Sequence, residues 1–306
     1  MDVVMIPFAE GEAKLSWQGL LAAFEAGHRR AKAEIGDTFL YRGDDTLLSR
    51  AAWIDGMGVA VKSATIFPAN KAASKPMVNG AVNLYSDHDG MLEAIVDFHL
   101  VTKWKTAGDS LLSASRLARK DAKRFLLVGA GTVGRSMYEA YGAVFGGAEF
   151  AVWNRSPEGA EKMAAECPGM SVARDLESAV GEADVICCAT MSPEPVVKGA
   201  WLQPGQHLDL IGAYRPDMRE VDDEAMTRAR VFVDSYDTTL EHIGELIEPL
   251  SSGALRREDV LADFYQPEAY CRESDEEITI AKNGGGAHLD LMTARYVLSA
   301  WRGEEG

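Results

Sequence analysis

The stretch RFLLVGAGTVGRSMYEAYGAVF, from Arg124 to Phe145, constrains the fold more than any other part of this 306-residue chain. A short apolar run leads straight into Gly129, Gly131 and Gly134 in GxGxxG spacing, and a helical stretch follows. Strand, glycine turn and helix in that order make the dinucleotide-binding turn of a doubly wound sheet. Gly129 permits the tight turn, Gly131 lets the backbone approach a pyrophosphate, and Gly134 lets helix pack on strand. The start of the helix, with Thr132 and Val133, offers free N–H groups to the anion.

The segments around this turn extend the reading. AEFAVWN, MSVARD, ADVICCAT, HLDLIGAY and RVFVDSY are short apolar runs separated by helical stretches. Several lack polar alternation, as parallel strands buried on both faces do. Residues 119–284 are therefore expected to form a Rossmann-type doubly wound α/β sheet. Upstream, LSWQGLLAAFEAGHRRAKAEI reads as a helix with Ser16 as its N-cap. DTLLSRAAWI, GVAVKSATIF and MVNGAVNLYS read as consecutive strands, and SDHDG as a turn that makes His88 a loop residue. In the closing segment EEITIAKNGGGAHLDLMTARYVLSAW, Leu289, Met292 and Tyr296 share a helical face that needs an apolar surface. Returning that helix to the first part makes 1–118 with 285–306 a smaller mixed α+β domain.

Charge narrows the class of partner. The chain has 31 basic and 47 acidic residues, a net charge of -16, which argues against nucleic acid or an anionic membrane. An acidic protein that binds a small anion must gather its few cations, so the cluster Lys103, Trp104, Lys105 before an alanine- and serine-rich helical run is informative. MDVVMIPFAEGEAK has neither the basic nor the apolar region of a secretion signal, and no apolar run approaches a membrane span. Four cysteines without CxxC spacing fit a reducing cytoplasm, and six scattered histidines give no metal-ligand pattern.

The cofactor class follows from the second strand of the sheet. An NAD enzyme usually ends that strand with Asp or Glu, which bonds the ribose 2′-hydroxyl. Here AVWNRS places Asn154 there, with Arg155 and Ser156 after it. Removing the carboxylate removes a repulsion, and an Arg fork beside a hydroxyl suits a 2′-phosphate. NADP(H) is thus favoured over NAD(H), with Thr190 at the end of ADVICCAT and Gly212 in HLDLIGAY completing the expected cofactor-binding set.

With these features in view, the chain resembles the ornithine cyclodeaminase/mu-crystallin family over nearly its whole length. The likeness rests on VKSATIFPAN, SASRLARKDAKRFLLVGAGTVG, ADVICCATMSPEPVV, LIGAYRPDMREVDDE and VFVDSY. Members of that family are ornithine cyclodeaminases, ketimine reductases, reductases of cyclic imino acids and an alanine dehydrogenase. The resemblance implies a homodimer formed through the first domain. It also implies that Lys62 contacts the substrate carboxylate and handles protons. From the residues themselves, Ala60 and Ala64 share its strand face and leave room for a ligand.

The same likeness puts Lys105, in TKWKTAGDS, where the family keeps a carboxylate-binding arginine, with Lys103 a solvated neighbour. An ammonium cannot reproduce the planar two-bond fork, so the site is altered but still cationic. Arg50 falls where the family has a methionine. Aimed into the cleft it would take a second substrate carboxylate, and a surface position is the alternative. Arg42 resembles a further family arginine that contacts carboxylate. Tyr214, in GAYRPDMRE, stands at the position of an aspartate that the cyclodeaminases need, and Asp217 is displaced along the loop. Met77 replaces a cyclodeaminase threonine. Asn283 to Gly286 either approach the nicotinamide or form a hinge. The expectation is an NAD(P)H-dependent reductase that turns a carboxylate-bearing imine into an amino acid, with Lys62 catalytic. Cyclodeamination is the alternative, then an alanine dehydrogenase-like reaction, then a non-enzymatic NADP-binding role.

Overall fold

The computed structural model describes residues 3–304. The chain divides into two compact units, Met1–Lys105 with Gly285–Gly306, and Thr106–Gly284. Strands and helices are numbered β1–β13 and α1–α10 in chain order.

The first unit opens with β1 (Val4–Ile6), α1 (Phe8–Glu12) and α2 (Trp17–His28). Five strands follow: β2 (Glu34–Arg42), β3 (Asp45–Ile54), β4 (Gly58–Ile66), β5 (Val78–Tyr85) and β6 (Leu92–Asp97). They form one sheet in the order β1-β6-β5-β4-β3-β2, with β1 parallel to β6 and the other pairs antiparallel. Ser16 caps α2, its Oγ accepting the Gly19 N–H at 3.1 Å. That helix stops at His28 instead of running on to Ile35. Residues 34–42 pair with β3 in a hairpin closed by Gly43 and Asp44, so pairing overrides the helical expectation at Glu34 and Ile35. The last helix, α10 (Ala287–Arg302), packs over β3, β4 and β5 and against α2. It buries Leu289, Met292, Val297 and Leu298, each contributing roughly 1.5–3 kcal/mol. The Ser16 N–H donates to the Tyr296 hydroxyl at 2.9 Å, which ties the start of α2 to α10.

The second unit contains β7 (Arg124–Val128), α4 (Thr132–Val144), β8 (Glu149–Trp153), α5 (Pro157–Glu166), β9 (Ser171–Val172), α6 (Leu176–Glu182) and β10 (Val185–Cys188). It continues with β11 (His207–Leu210), α7 (Asp223–Arg228), β12 (Ala229–Val233), α8 (Tyr236–Thr239), α9 (Gly244–Ser252) and β13 (Ile278–Lys282). Every pairing in its sheet is parallel, in the order β12-β13-β11-β10-β7-β8-β9. β10, β11 and β13 are buried at every residue, which is why their sequences do not alternate. Chain order runs outward from β7 through β8 and β9, then returns to β10 on the other side. The switch point therefore lies between β7 and β10, where an open α/β sheet binds its ligand.

α3 (Phe98–Leu117) runs through the division, which falls between Lys105 and Thr106 and not at the expected 118/119. An unbroken helical sequence carries no mark of where its packing partners change. Lys103, Trp104 and Lys105 consequently lie within the helix and not ahead of it.

Candidate functional site

The glycine turn closes the switch point of the second unit. Gly129 follows β7 at φ +117°, and a Cβ there would meet the Ala189 carbonyl at 2.7 Å, so only glycine fits against the end of β10. A Cβ on Gly134 would meet the Gly129 carbonyl at 2.4 Å, whereas one on Gly131 would meet no atom of the chain within 4 Å. The close approaches of Gly129 and Gly134 are internal, while Gly131, N-cap of α4, has an open side that could receive an anion such as a pyrophosphate. Asn154 ties this turn to the end of β8. Its Oδ1 accepts the Ala130 N–H at 3.1 Å and its amide donates to the Ser156 carbonyl at 2.9 Å. Arg155 is exposed, and the Ser156 hydroxyl donates to Glu158 at 2.6 Å. Arg135, which the sequence reading did not single out, steadies the turn by donating to the Ala130 carbonyl at 2.6 Å.

A buried carboxylate holds the neighbouring strand ends. Glu220 Oε1 accepts from the Thr190 N–H at 2.7 Å and its hydroxyl at 2.8 Å, and Oε2 from the Gly212 and Ala213 N–H groups at 2.7 and 3.1 Å. One side chain thus bridges Thr190 and Gly212, and the Gly212 N–H also reaches the Cys188 carbonyl at 3.2 Å. Behind it, Glu245 accepts the backbone N–H groups of Glu220 and Val221. Lys282 Nζ donates to the carbonyls of Leu210 and Asn283 at 2.7 and 2.9 Å. Burial raises the Glu220 carboxyl, opposed by Lys282. Burial, then repulsion from Glu220, pushes Glu245 up to about 7.

The first unit gathers the cations. Asp37 on β2, Arg50 on β3 and Lys62 on β4 are direct cross-strand partners, so their side chains leave the same face of the sheet. β4 buries Ala60, Lys62 and Ala64 on that face. Lys62 is an inner-strand residue there, and its Nζ donates to Asp290 Oδ1 of α10 at 2.8 Å. Arg50 turns its Nε and Nη2 edge to Asp37, with bonds of 3.0 and 2.8 Å to Oδ2, and its Nη1 donates to the Gly285 carbonyl at 3.3 Å. Lys105, buried on α3, donates to the same carbonyl at 2.8 Å. Gly285 has φ +64°, and a Cβ there would lie 2.6 Å from Lys105 Nζ.

Charge sets the protonation of this group. Burial alone would raise the Asp290 carboxyl, but Lys62, then Lys105 and Arg50, hold it below the usual carboxylate value. His288 is driven well below the ordinary imidazole value by burial, then by His28, Lys105, Arg50 and Lys32, and is neutral. The result is a cationic face suited to a carboxylate, with its two carboxylates, Asp290 and Asp37, each in an ion pair.

Other expected residues lie elsewhere. Arg42 is five positions from Asp37 on β2, so strand alternation sends it to the opposite face. There it pairs with Asp45 at 2.9 Å with its side chain 79% exposed, apart from the cation group of Arg50, Lys62 and Lys105 that it was expected to join. Met77 is exposed just before β5, and Tyr214 is exposed in the second unit. Asp217 is held by Arg215 through bonds of 2.8 and 2.7 Å. Lys103 is not simply solvated: it pairs with Glu12 at 2.8 Å, while Trp104 stacks on Trp17 with ring centroids 4.0 Å apart. Asp37, Asp290, Glu220, Glu245 and Lys282 were missed. Each acquires meaning only from a partner distant in sequence, and Glu220 alone had a pointer, as the last residue of RPDMRE.

Known proteins bear on these arrangements. Residues 51–305 match the model of the ornithine cyclodeaminase/mu-crystallin family. The chain is 47% identical over 306 residues to a delta(1)-pyrroline-2-carboxylate reductase of Paracoccus denitrificans, covering 97% of each. Its fold matches that of the Thermococcus litoralis delta(1)-pyrroline-2-carboxylate reductase in complex with NADH and L-proline, with TM-score 0.90, 25% identity and 98% of both chains covered. It also matches an archaeal alanine dehydrogenase dimer with bound NAD, with TM-score 0.89, 28% identity, and 99% of this chain and 97% of the other covered.

Proposed function

The chain belongs to the ornithine cyclodeaminase/mu-crystallin family, and from that premise we propose that it reduces a carboxylate-bearing C=N substrate to an amino acid with NAD(P)H. The cyclic imino acid 1-pyrroline-2-carboxylate is the first substrate to try, given the 47% identity to the Paracoccus denitrificans enzyme. The observation that carries this reading is the cation group of the first unit, in which Lys62 is pinned by Asp290 while Lys105 and Arg50 converge on Gly285.

Lys62 and Lys105 bind and orient the substrate carboxylate. A protonated C=N is already a good hydride acceptor, so the site needs to position and desolvate it more than to supply a strong acid. The surroundings agree with that demand: Asp290 is committed to Lys62, and His288 is neutral. NAD(P)H, when bound, supplies the hydride. Gly129, Gly131, Thr132, Val133 and Gly134 would cradle its pyrophosphate, with Thr190 and Gly212 lining the neighbouring strand ends. An amide in place of a carboxylate at Asn154, followed by exposed Arg155, supports NADP(H) over NAD(H). The cyclodeaminase reaction lacks support here, because Tyr214 is no carboxylate and Asp217 is engaged by Arg215.

A homodimer through the first unit fits the outer strand β2, exposed at all nine residues and carrying Ile35, Phe39, Leu40 and Tyr41. The archaeal alanine dehydrogenase dimer is a precedent. Among the described residues no helix is long and apolar enough to cross a membrane, and we place the enzyme in the cytoplasm.

The test is oxidation of NADPH and of NADH by the purified protein across a panel of imines. It includes 1-pyrroline-2-carboxylate, 1-piperideine-2-carboxylate, and pyruvate, glyoxylate or oxaloacetate with ammonia. L-ornithine with NAD runs beside them, assayed for ammonia and proline. Turnover of a monocarboxylate imine supports the proposal. Silence on every imine with ammonia released from ornithine replaces it with cyclodeamination.

A further inference from the structure

We propose that Asp37 is a specificity-determining residue that withholds Arg50 from the substrate and restricts this enzyme to imines with a single carboxylate. The proposal rests on the reductase reading and deepens it. Arg50 is the direct cross-strand neighbour of Lys62, on the same sheet face, and shares the Gly285 carbonyl with Lys105. It therefore stands where a second carboxylate of a substrate held by Lys62 and Lys105 would look for a partner. Its fork is already filled. Asp37, the next residue in the cross-strand row, accepts from Arg50 Nε at 3.2 Å through Oδ1 and at 3.0 Å through Oδ2, and from Nη2 at 2.8 Å through Oδ2. A guanidinium binds a carboxylate best with two parallel N–H groups, and the Nε–Nη2 edge is such a pair.

The arrangement discriminates in two ways at once. On the remaining Nη1–Nη2 edge, Nη1 already donates to the Gly285 carbonyl at 3.3 Å, so an incoming carboxylate would compete for that donor. The Asp37 carboxylate also repels an incoming carboxylate, which is selection against a partner as well as for one. The pair is partly exposed, with side chains 22% and 28% accessible. Stability gains little from such a pair, so its presence in this row calls for another explanation and its removal should leave the fold intact.

The experiment compares kcat/KM for 1-pyrroline-2-carboxylate with that for the imine formed from oxaloacetate and ammonia, in the wild type, Asp37→Asn and Asp37→Ser. The wild type is expected to favour the monocarboxylate by at least about 100-fold, and each substitution to raise the dicarboxylate-to-monocarboxylate ratio by at least about 30-fold. The gain must depend on Arg50, so adding Arg50→Met to Asp37→Asn should abolish it. A wild type that reduces both imines with similar kcat/KM overturns the proposal without any variant. An unmoved ratio in the variants, or a gain that survives Arg50→Met, also overturns it. Thermal shift reads the same contrast without turnover: L-proline should stabilise the wild type and L-aspartate should not, and Asp37→Asn should respond to both. Wild-type silence on 1-pyrroline-2-carboxylate together with a thermal response to L-proline alone would sink the reductase reading and leave the Asp37 assignment standing. Equal responses to the two amino acids would overturn the assignment.

Discussion

Lys62 Nζ lies 2.8 Å from Asp290 Oδ1, with the two side chains 7% and 2% exposed, although 228 positions separate them in the chain. The other carboxylate oxygen, Oδ2, is buried without a hydrogen-bond partner. Lys62 is thus the main support of a charge that water cannot reach. Removing one member of a buried pair costs about 3–5 kcal/mol, whereas replacing both by apolar groups is often neutral. We expect Lys62→Met to lose that stability and nearly all imine reduction. Lys62→Met with Asp290→Leu should recover most of the stability and none of the turnover. Urea unfolding and kcat/KM on the same proteins check this, and a double variant that regains activity would make Lys62 purely structural.

Lys105 and Gly285 form the second linked pair. The Lys105 ammonium donates to a carbonyl whose backbone has φ +64°, and a Cβ there would lie 2.6 Å from the ammonium and push it aside. Gly285→Ala combines backbone strain with displacement of the ammonium, and we expect KM for the imine to rise about 10-fold or more while NADPH affinity stays unchanged. Lys105→Ala loses a charge-assisted contact of about 1.5–3 kcal/mol, or roughly 10- to 100-fold in KM. Lys105→Arg restores the family's fork and should reorder the ranking of imines. Steady-state kinetics and fluorescence titration of NADPH separate the effects, and an unchanged ranking with Arg at 105 would count against Lys105 as a carboxylate ligand.

What could be read from the sequence follows the range of the interaction that defines it. The turn at Gly129 to Gly134 and the strand bearing Lys62 were legible because strand, turn and helix signals lie within a few residues of one another. DTLLSRAAWI is β3 to the residue. β2 was not legible, since Ala31 to Glu34 favour a helix and only pairing with β3 makes the segment from Glu34 onward a strand. Asp290 reads in isolation as one polar residue in HLDLMTARY, and its role exists only once α10 lies over β4. Glu220 and Glu245 likewise bond backbone groups tens of residues away. Arg42 departs from the expectation that the resemblance gave it because it lies at an odd offset from Asp37 on β2, which puts it on the opposite face of the sheet.

Asn154 is the test of cofactor choice. Its Oδ1 faces the Ala130 N–H, and a carboxylate could keep that bond while losing the donation to the Ser156 carbonyl. Asn154→Asp places a negative charge where a 2′-phosphate would lie. We expect the kcat/KM ratio of NADPH to NADH to fall at least about 10-fold, with Arg155→Ala lowering it in the same direction. A ratio unmoved by both changes would mean that the end of β8 does not read the 2′ position.

Glu245 supplies the pH dependence. Its carboxyl is raised from 4.5 to about 7, by burial first and then by Glu220. A group whose folded pKa exceeds its unfolded value contributes stability that is complete below the unfolded value and lost as pH climbs through the folded one. For Glu245 the loss therefore falls between about pH 4.5 and about pH 7 and above. Between pH 5.5 and 8.5 it amounts to an order of magnitude of 2 kcal/mol. Asp290 works in the opposite sense, its stabilisation being present above 3.8 and lost only as pH falls through its lowered folded value. Glu245→Gln cannot ionise, so its unfolding free energy should be lower than that of the wild type at pH 5.5 yet decline less towards pH 8.5. Parallel urea titrations at the two pH values measure both slopes. Equal slopes in the two proteins would show that the Glu245 proton is not what the fold retains on the acid side.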